Sequence, residues 1–203
     1  MKIHTFAGAP NPKRVHIYLA EKGIALERVE VNIIGGETRS EAFRTKNPMG
    51  GLPVLELDDG TFVSESLAIM EYLEELHPDP PMIGTTPLER LRVRELERIA
   101  ELGVLMRVAQ MLQNSHPFWT ARVKQNKDSA EHALRLLHGT LKVLDAKIGD
   151  QPFVAGDRPS IADCTLYAGL WFAHTMGTPI DLKARPNVAR WNESFRKRPS
   201  TKT

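Results

Sequence analysis

Three short clusters in the 203-residue chain combine residue types that do chemistry at spacings that bring them together. The first, Ser64-Glu65-Ser66, precedes a run in which Leu67, Ile69, Met70, Leu73 and Leu76 supply the apolar positions of a helix. Hydroxyls and a carboxylate at a helix start surround unpaired N–H groups and the positive end of the dipole, a place that favours an anion by about 0.3–1 kcal/mol. Ser64 is the expected cap, and an ordinary helix cap with no ligand explains the same three residues. The second cluster is the X-Pro pair Leu52-Pro53, ahead of two short strand-like segments joined at Asp58, Asp59 and Gly60, a tight hairpin turn. The third is "QNSHPFW", residues 113–119, with Ser115 and His116 beside Phe118 and Trp119. An imidazole with an ordinary pKa near about 6.5 accepts a proton at neutral pH, directly or through a water. A histidine used only for packing is the alternative, and His4, His16, His77, His132, His138 and His174 are read that way.

A fourth stretch, "AGAPNPKRVHIYLAEKG" at residues 7–23, reads as a strand end, a turn with two prolines and a helix closed by Gly23. It holds no Ser, Thr or Cys, and Tyr18 lies too deep in the helix to reach the turn. Asn11 is expected to cap this helix, with Pro12 at its favoured first position.

The elements that must position these clusters change character along the chain. A β-prone "KIHTF", the helix to Gly23, the alternating "LERVEVNI", a segment of helical potential "TRSEAFRTKN", two hairpin strands and the helix to Leu76 give the order βαβαββα. "HPDPPMIGTTP" then interposes four prolines, a linker over 78–87 between a first domain at 1–77 and a second, all-helical one at 88–203. Long amphipathic helices are expected over 88–114 and 122–148. A further helix opens with a capping box of Ser160 and Asp163, and the last runs from about Pro186 to Arg198.

Composition narrows the partners. Lys plus Arg (27) nearly balances Asp plus Glu (25), which leaves no basic stripe for nucleic acid. The single cysteine, Cys164, allows no internal disulfide, fits a reducing compartment, and in its apolar helix reads as buried and inert. The opening "MKIHTF" lacks the apolar core of a signal peptide, and no run approaches the roughly 18 apolar residues of a membrane span. The expectation is a soluble, cytoplasmic protein with no membrane partner.

"NPMGGLPVLELDDGTFVSESLAIMEYL", residues 47–73, resembles the glutathione-binding half of the cytosolic glutathione transferases. The thioredoxin-like βαβαββα order, the Pro-rich linker, the all-helical second domain with its S-x-x-D box and the closing "RPNVARW…RPS" extend the resemblance over nearly the whole chain. The first-turn form "APNPKRV" is most like bacterial and fungal members, including the yeast-type subclass, that lack the usual catalytic hydroxyl. Serine-type relatives carry it where this chain has Ala9.

The resemblance implies a homodimeric glutathione transferase that uses glutathione as co-substrate, needs no metal and joins the sulfur to an apolar electrophile. It implies that Pro53 is cis and that Leu52 pairs its main chain with the cysteinyl unit, a small case of strand addition. Ser66 would take the γ-glutamyl carboxylate and Glu65 the γ-glutamyl ammonium. Thr38 and Gly51 stand where relatives often keep cations, which makes Arg39 the candidate for the glycyl carboxylate, a solvated surface arginine being the alternative.

Lowering a thiol pKa of about 8.5 by two units requires roughly 2.7 kcal/mol. A hydrogen bond from Asn11 or nearby amides contributes about 1.5–3 kcal/mol to a charged sulfur, and the dipole adds up to about 2. Likeness to the yeast-type subclass gives Ser115 and His116 a second role, holding a water on the sulfur. Met106, Leu112, Phe118 and Trp119 are candidates to line the electrophile pocket, or simply core. Arg14 is expected to steady the domain interface or the dimer, and Asp163 to serve folding. The rival readings are a non-catalytic carrier or assembly protein with this fold, and glutathione-dependent peroxide reduction or isomerisation.

Overall fold

The computed structural model describes residues 1–203. Strand β1 (Lys2–Thr5) lies beside β2 (Glu27–Glu30) in parallel, with Lys2 opposite Glu27. A parallel pair needs a crossover, and α1 (Pro10–Lys22) supplies it, ending on Gly23 at a left-handed φ of 67°. On its other edge β1 pairs antiparallel with β3 (Val54–Glu56), which pairs with β4 (Phe62–Ser64), so the sheet runs β2-β1-β3-β4. A 3-10 turn (Glu37–Arg39) and the short α2 (Glu41–Arg44) lead from β2 towards β3, and α3 (Ser66–Leu76) follows β4.

Two helix starts differ from expectation. Ala9, not Asn11, caps α1: Pro10, whose fixed φ suits a first turn, starts the helix and leaves Asn11 inside it. Glu65, not Ser64, occupies the cap of α3, because Ser64 is held in the sheet opposite Val54.

Beyond Pro87 the chain is helical. Helix α4 (Pro87–Ala100) starts at Thr86, whose hydroxyl accepts the Glu89 N–H at 3.2 Å, and it passes through a wider π-type turn (Glu101–Leu105) into α5 (Met106–Ser115). Helix α6 (Lys127–Ile148) begins later than the expected 122, because a 3-10 turn at Pro117–Trp119 intervenes and Asn126 is the residue that accepts a first-turn amide, that of Ser129 at 3.0 Å. Helix α7 (Ile161–Thr175) is buried from Ile161 to Leu170, and Gly169 lets it approach α5's lead-in: a Cβ there would sit 3.1 Å from Cα of Leu105. Helix α8 (Pro186–Phe195) stops short of Arg198, and the chain closes with a 3-10 turn at Pro199–Lys202.

Asp163 ties this part together. Its carboxylate accepts the N–H groups of Val154 and Ser160 (both 2.9 Å), the Ser160 hydroxyl (2.8 Å) and the Trp191 indole (2.7 Å), while burial pushes its pKa up to about 6.

One continuous apolar core runs from Ile3, Val15 and Ile69 through Val104 to Leu141 and Trp191, so sheet and bundle share an interior. A smaller cluster of Val31, Phe43, Leu52 and Val54 sits under the loop that carries Pro53. Cys164 is fully buried, and burial raises its pKa well above the usual thiol value. No helix is long and apolar enough to cross a membrane.

Candidate active site

The loop before β3 presents main chain rather than side chains. Leu52 sinks its side chain into the small cluster with Val31 and Phe43, and its peptide bond to Pro53 is cis. Neither its N–H nor its C=O bonds to another group of the chain. Asn47 fixes the approach, donating to the Gly51 carbonyl at 2.9 Å and accepting from the Met49 amide at 3.0 Å. The result is a short edge of paired-strand geometry with an open donor and acceptor.

Next to it stands the start of α3. Glu65 has φ 74° and ψ 108°, the only non-glycine residue of the chain at positive φ, and a conformation of this kind costs about 1–3 kcal/mol. Its carboxylate is exposed and makes no ion pair, while Ser66 is buried at 2% exposure. The first helical amides, including those of Ser66 and Leu67, have no intrahelical acceptor. Arg14 Nε donates to Ser66 Oγ at 2.8 Å. A hydroxyl that already accepts still has its proton to donate, so the Ser66 O–H is left to serve whatever lies before the helix.

Arg14 itself is the centre of a network that the sequence does not disclose. It is 1% exposed, donates to Glu97 Oε1 at 3.1 Å, to the Thr165 hydroxyl at 3.4 Å and to Glu101 Oε1 at 3.0 Å, and so joins α1, α3, α4, the π-type turn and α7. Arg14 therefore serves the interface between sheet half and bundle, one of the two expected roles. Glu97 is fully buried, its Oε2 has no partner, and burial outweighs Arg14 to push its pKa up to about 7, with Glu101 adding to the rise. A faint signal existed: Glu97 falls within the apolar face that Val93, Leu96 and Ala100 define, and Glu101 follows four residues later.

The side where a thiol would be activated is built differently. Pro10 and Pro12 have no N–H, and the Lys13 amide is bound to the Ala9 carbonyl at 3.1 Å, so within the first turn of α1 Asn11 alone keeps a free main-chain donor. Its side-chain Oδ1 is buried without a partner. A half-turn of that amide exchanges oxygen for NH2, which gives the position a donor as well as an acceptor. Tyr18 is fully buried and its hydroxyl donates to Glu74 at 2.9 Å, out of play for this turn.

The helical-domain candidates are scattered by comparison. Ser115 spends its hydroxyl on the Met111 carbonyl at 2.8 Å, and His116 Nδ1 accepts the Phe118 amide at 3.2 Å. The two do not bond to each other. Trp119 packs edge-on against Phe172, with centroids 6.2 Å apart, whereas Phe118 is exposed and covered by Arg122, 4.5 Å from the ring centroid. Met106 is half-exposed, but Leu112 is fully buried on the inward face of α5, which corrects its place among the pocket candidates in favour of the core. Arg39 is exposed with no partner, at the end of the 3-10 turn after β2.

Residues 3–81 match the family model "Glutathione S-transferase, N-terminal domain" and residues 117–193 the corresponding "C-terminal domain". "Glutathione S-transferase 2" of Saccharomyces cerevisiae is 35% identical over 100% of this chain and 88% of its own. "Maleylacetoacetate isomerase" of Pseudomonas aeruginosa is 33% identical over 94% of this chain and 88% of its own. The crystal structure of a glutathione S-transferase domain-containing protein from Marinobacter aquaeolei superimposes with a TM-score of 0.90, at 35% identity, covering 99% of this chain and 100% of that one. The chain therefore belongs to the glutathione S-transferase family, whose co-substrate is glutathione.

Proposed function

We propose that this transferase lays glutathione along the open edge at Leu52, with the cysteinyl unit paired to the Leu52 main chain and the γ-glutamyl carboxylate on the Ser66 hydroxyl and the first amides of α3. The observation that carries the reading is the Arg14–Ser66 bond of 2.8 Å, which leaves the Ser66 proton as a donor at a helix start. Glu65, exposed and unpaired, answers the γ-glutamyl ammonium, and Arg39 the glycyl carboxylate. The thiol reaches Asn11, whose free N–H and side-chain amide stabilise its anion. Attack on an electrophile then forms the C–S bond, and the leaving group departs with its electron pair or the carbon skeleton takes up a proton. Phe118, Trp119 and Met106 offer the apolar surface for that partner. Ser115 Oγ keeps lone pairs and His116 its Nε2, so the two can hold a water while keeping the local bonds they make here.

Exposed Leu88, Leu91, Leu102, Leu136 and Val143 lie on α4, the π-type turn and α6, with Leu102 and Leu136 lining one shallow depression. This apolar face supports pairing with a second copy, and a protein of this kind works in the cytoplasm.

Ser66→Ala tests the assignment. Loss of a hydrogen bond to a charged group raises KM for glutathione by about 10-fold or more, with the pKa of the bound thiol unchanged. An unaltered KM would remove Ser66 from the site.

The isomerase relative supports a second reading, in which the thiolate adds to a conjugated double bond, the bond rotates and the thiolate leaves. Both readings use the same half-site, but isomerisation returns glutathione and conjugation consumes it, so the glutathione balance during turnover separates them.

A further inference from the structure

Helix α1 carries both Asn11 and Arg14, and its first turn has little main chain to hold it. Pro10 and Pro12 bring no N–H, and the Lys13 amide bonds to the Ala9 carbonyl at 3.1 Å. Side chains must fix the turn instead. Arg14 does this towards α3, α4 and α7. Lys13 does it on another side, and it belongs to none of the machinery described above.

Lys13 is 5% exposed, and its ammonium donates to main-chain oxygens only, those of Thr201 at 2.9 Å and Thr203 at 2.6 Å, with the Trp171 ring centroid 5.2 Å away. Taking an ammonium out of water is costly, and an apolar side chain of the same length would fill the space without that penalty. The bonds therefore mark a tie between α1 and residues 188 and 190 positions further on. The closing segment is fastened to the other end of the same helix as well. Glu21, eight residues or about 12 Å past Lys13, accepts Arg198 Nε at 2.6 Å, Arg198 Nη2 at 2.7 Å and the Ser200 hydroxyl at 2.5 Å. The Thr201 hydroxyl donates to the Arg198 carbonyl at 2.8 Å, which stiffens the turn that Lys13 grips. Residues 198–203 thus run along α1 as a strap tied at both ends.

Two residues apart on a helix is a rotation of about 200°, so Lys13 and Asn11 sit on nearly opposite sides of α1. Holding the one from behind aims the other. We propose that Lys13 is a positioning residue for the transferase reaction: through the strap at residues 198–203 it fixes the rotation of the first turn of α1 and keeps Asn11 directed at the thiol. The proposal rests on the reading of Asn11 as the thiol's partner. Arg14 is held separately by Glu97 and Glu101, so glutathione binding is not what the strap controls.

Lys13→Met in the whole chain tests it, because the side chain keeps its length, loses its ammonium and strands no buried carboxylate. In an ultraviolet titration the thiol pKa of bound glutathione is expected to rise by about 0.5–1 unit, leaving about 3- to 10-fold less thiolate below that pKa. There kcat falls by the same factor, while KM for glutathione changes by less than about 2-fold. Lys13→Arg, which still reaches main-chain oxygens, restores most of the loss. Glu21→Gln loosens the other end of the strap with Lys13 in place and gives a smaller shift in the same direction. In an Asn11→Ala background Lys13→Met moves the thiol no further. A lysine that served folding alone would lower the urea midpoint and leave the titration curve where it was, and that result overturns the proposal, as does a shift of undiminished size in the Asn11→Ala background. The two readings separate. Should Asn11→Ala move the thiol pKa while Lys13→Met does not, the strap fails and Asn11 stands; an unmoved pKa in Asn11→Ala itself removes Asn11 from the site, and the strap's role with it.

Discussion

The half-site at Leu52 and Ser66 and the thiol side at Asn11 and His116 are made by opposite means. At the first, the two central groups are held by burial: Leu52 by the small cluster, and Ser66 by Arg14, itself held by two carboxylates and Thr165. At the second, the candidates are partly exposed and either satisfy their neighbours, as Ser115 and His116 do, or have no partner at all, as with Asn11 Oδ1. Recognition of a fixed co-substrate repays a rigid site, since ordering it in advance lowers the cost of binding. A surface that meets electrophiles of varied shape gains nothing from the same rigidity. On the proposed reading, affinity belongs to the packed side and reactivity to a few loosely framed groups.

Breaking the packed side has the largest consequence. Arg14→Met takes from Glu97 its cation and from Ser66, Thr165 and Glu101 their donor, a loss of about 3–5 kcal/mol in stability, read as a lower urea midpoint. Adding Glu97→Gln restores part of it, and KM for glutathione stays raised because Ser66 is no longer held. The thiol side answers to one residue: Asn11→Ala raises the pKa of enzyme-bound glutathione by roughly 1–2 units, worth about 1.4 kcal/mol each, in an ultraviolet titration of the thiolate, whereas His116→Ala shifts it far less.

Glu97 also sharpens the comparison through pH. Its pKa rises from 4.5 to about 7 on folding, so between those values the folded chain keeps a proton that the unfolded chain has released. Stability from this group is present at low pH and is lost as pH climbs towards 7. Denaturant titrations across pH 5–8 thus show a decline that Glu97→Gln flattens. The smallest effect belongs to Glu65→Gly, which relieves the positive φ, raises stability by about 1 kcal/mol and still weakens glutathione binding by removal of the carboxylate.

Much of the packed side was legible in the sequence, because its signals are local. An X-Pro before a hairpin and a Ser-Glu-Ser before an apolar run each declare their geometry within a few residues. Even there, the cap of α3 moved by one residue because strand pairing of Ser64 with Val54 outranked its capping preference. Asn11 moved inside α1 because Pro10 is the better first residue. The Arg14 network was illegible for a different reason: its partners come from positions 66, 97, 101 and 165, and no local pattern says which buried glutamate meets which arginine. Leu112 shows the limit from the other direction, since apolar spacing on α5 does not distinguish a pocket wall from the core.

A crystal of this protein grown with reduced glutathione tests the central claim most directly. The account predicts the tripeptide along the loop before β3, its cysteinyl N–H and C=O paired with the Leu52 main chain, its γ-glutamyl carboxylate on Ser66 Oγ and its sulfur within hydrogen-bond reach of Asn11. Glutathione bound elsewhere, or bound with Ser66 still turned only to Arg14, would contradict it.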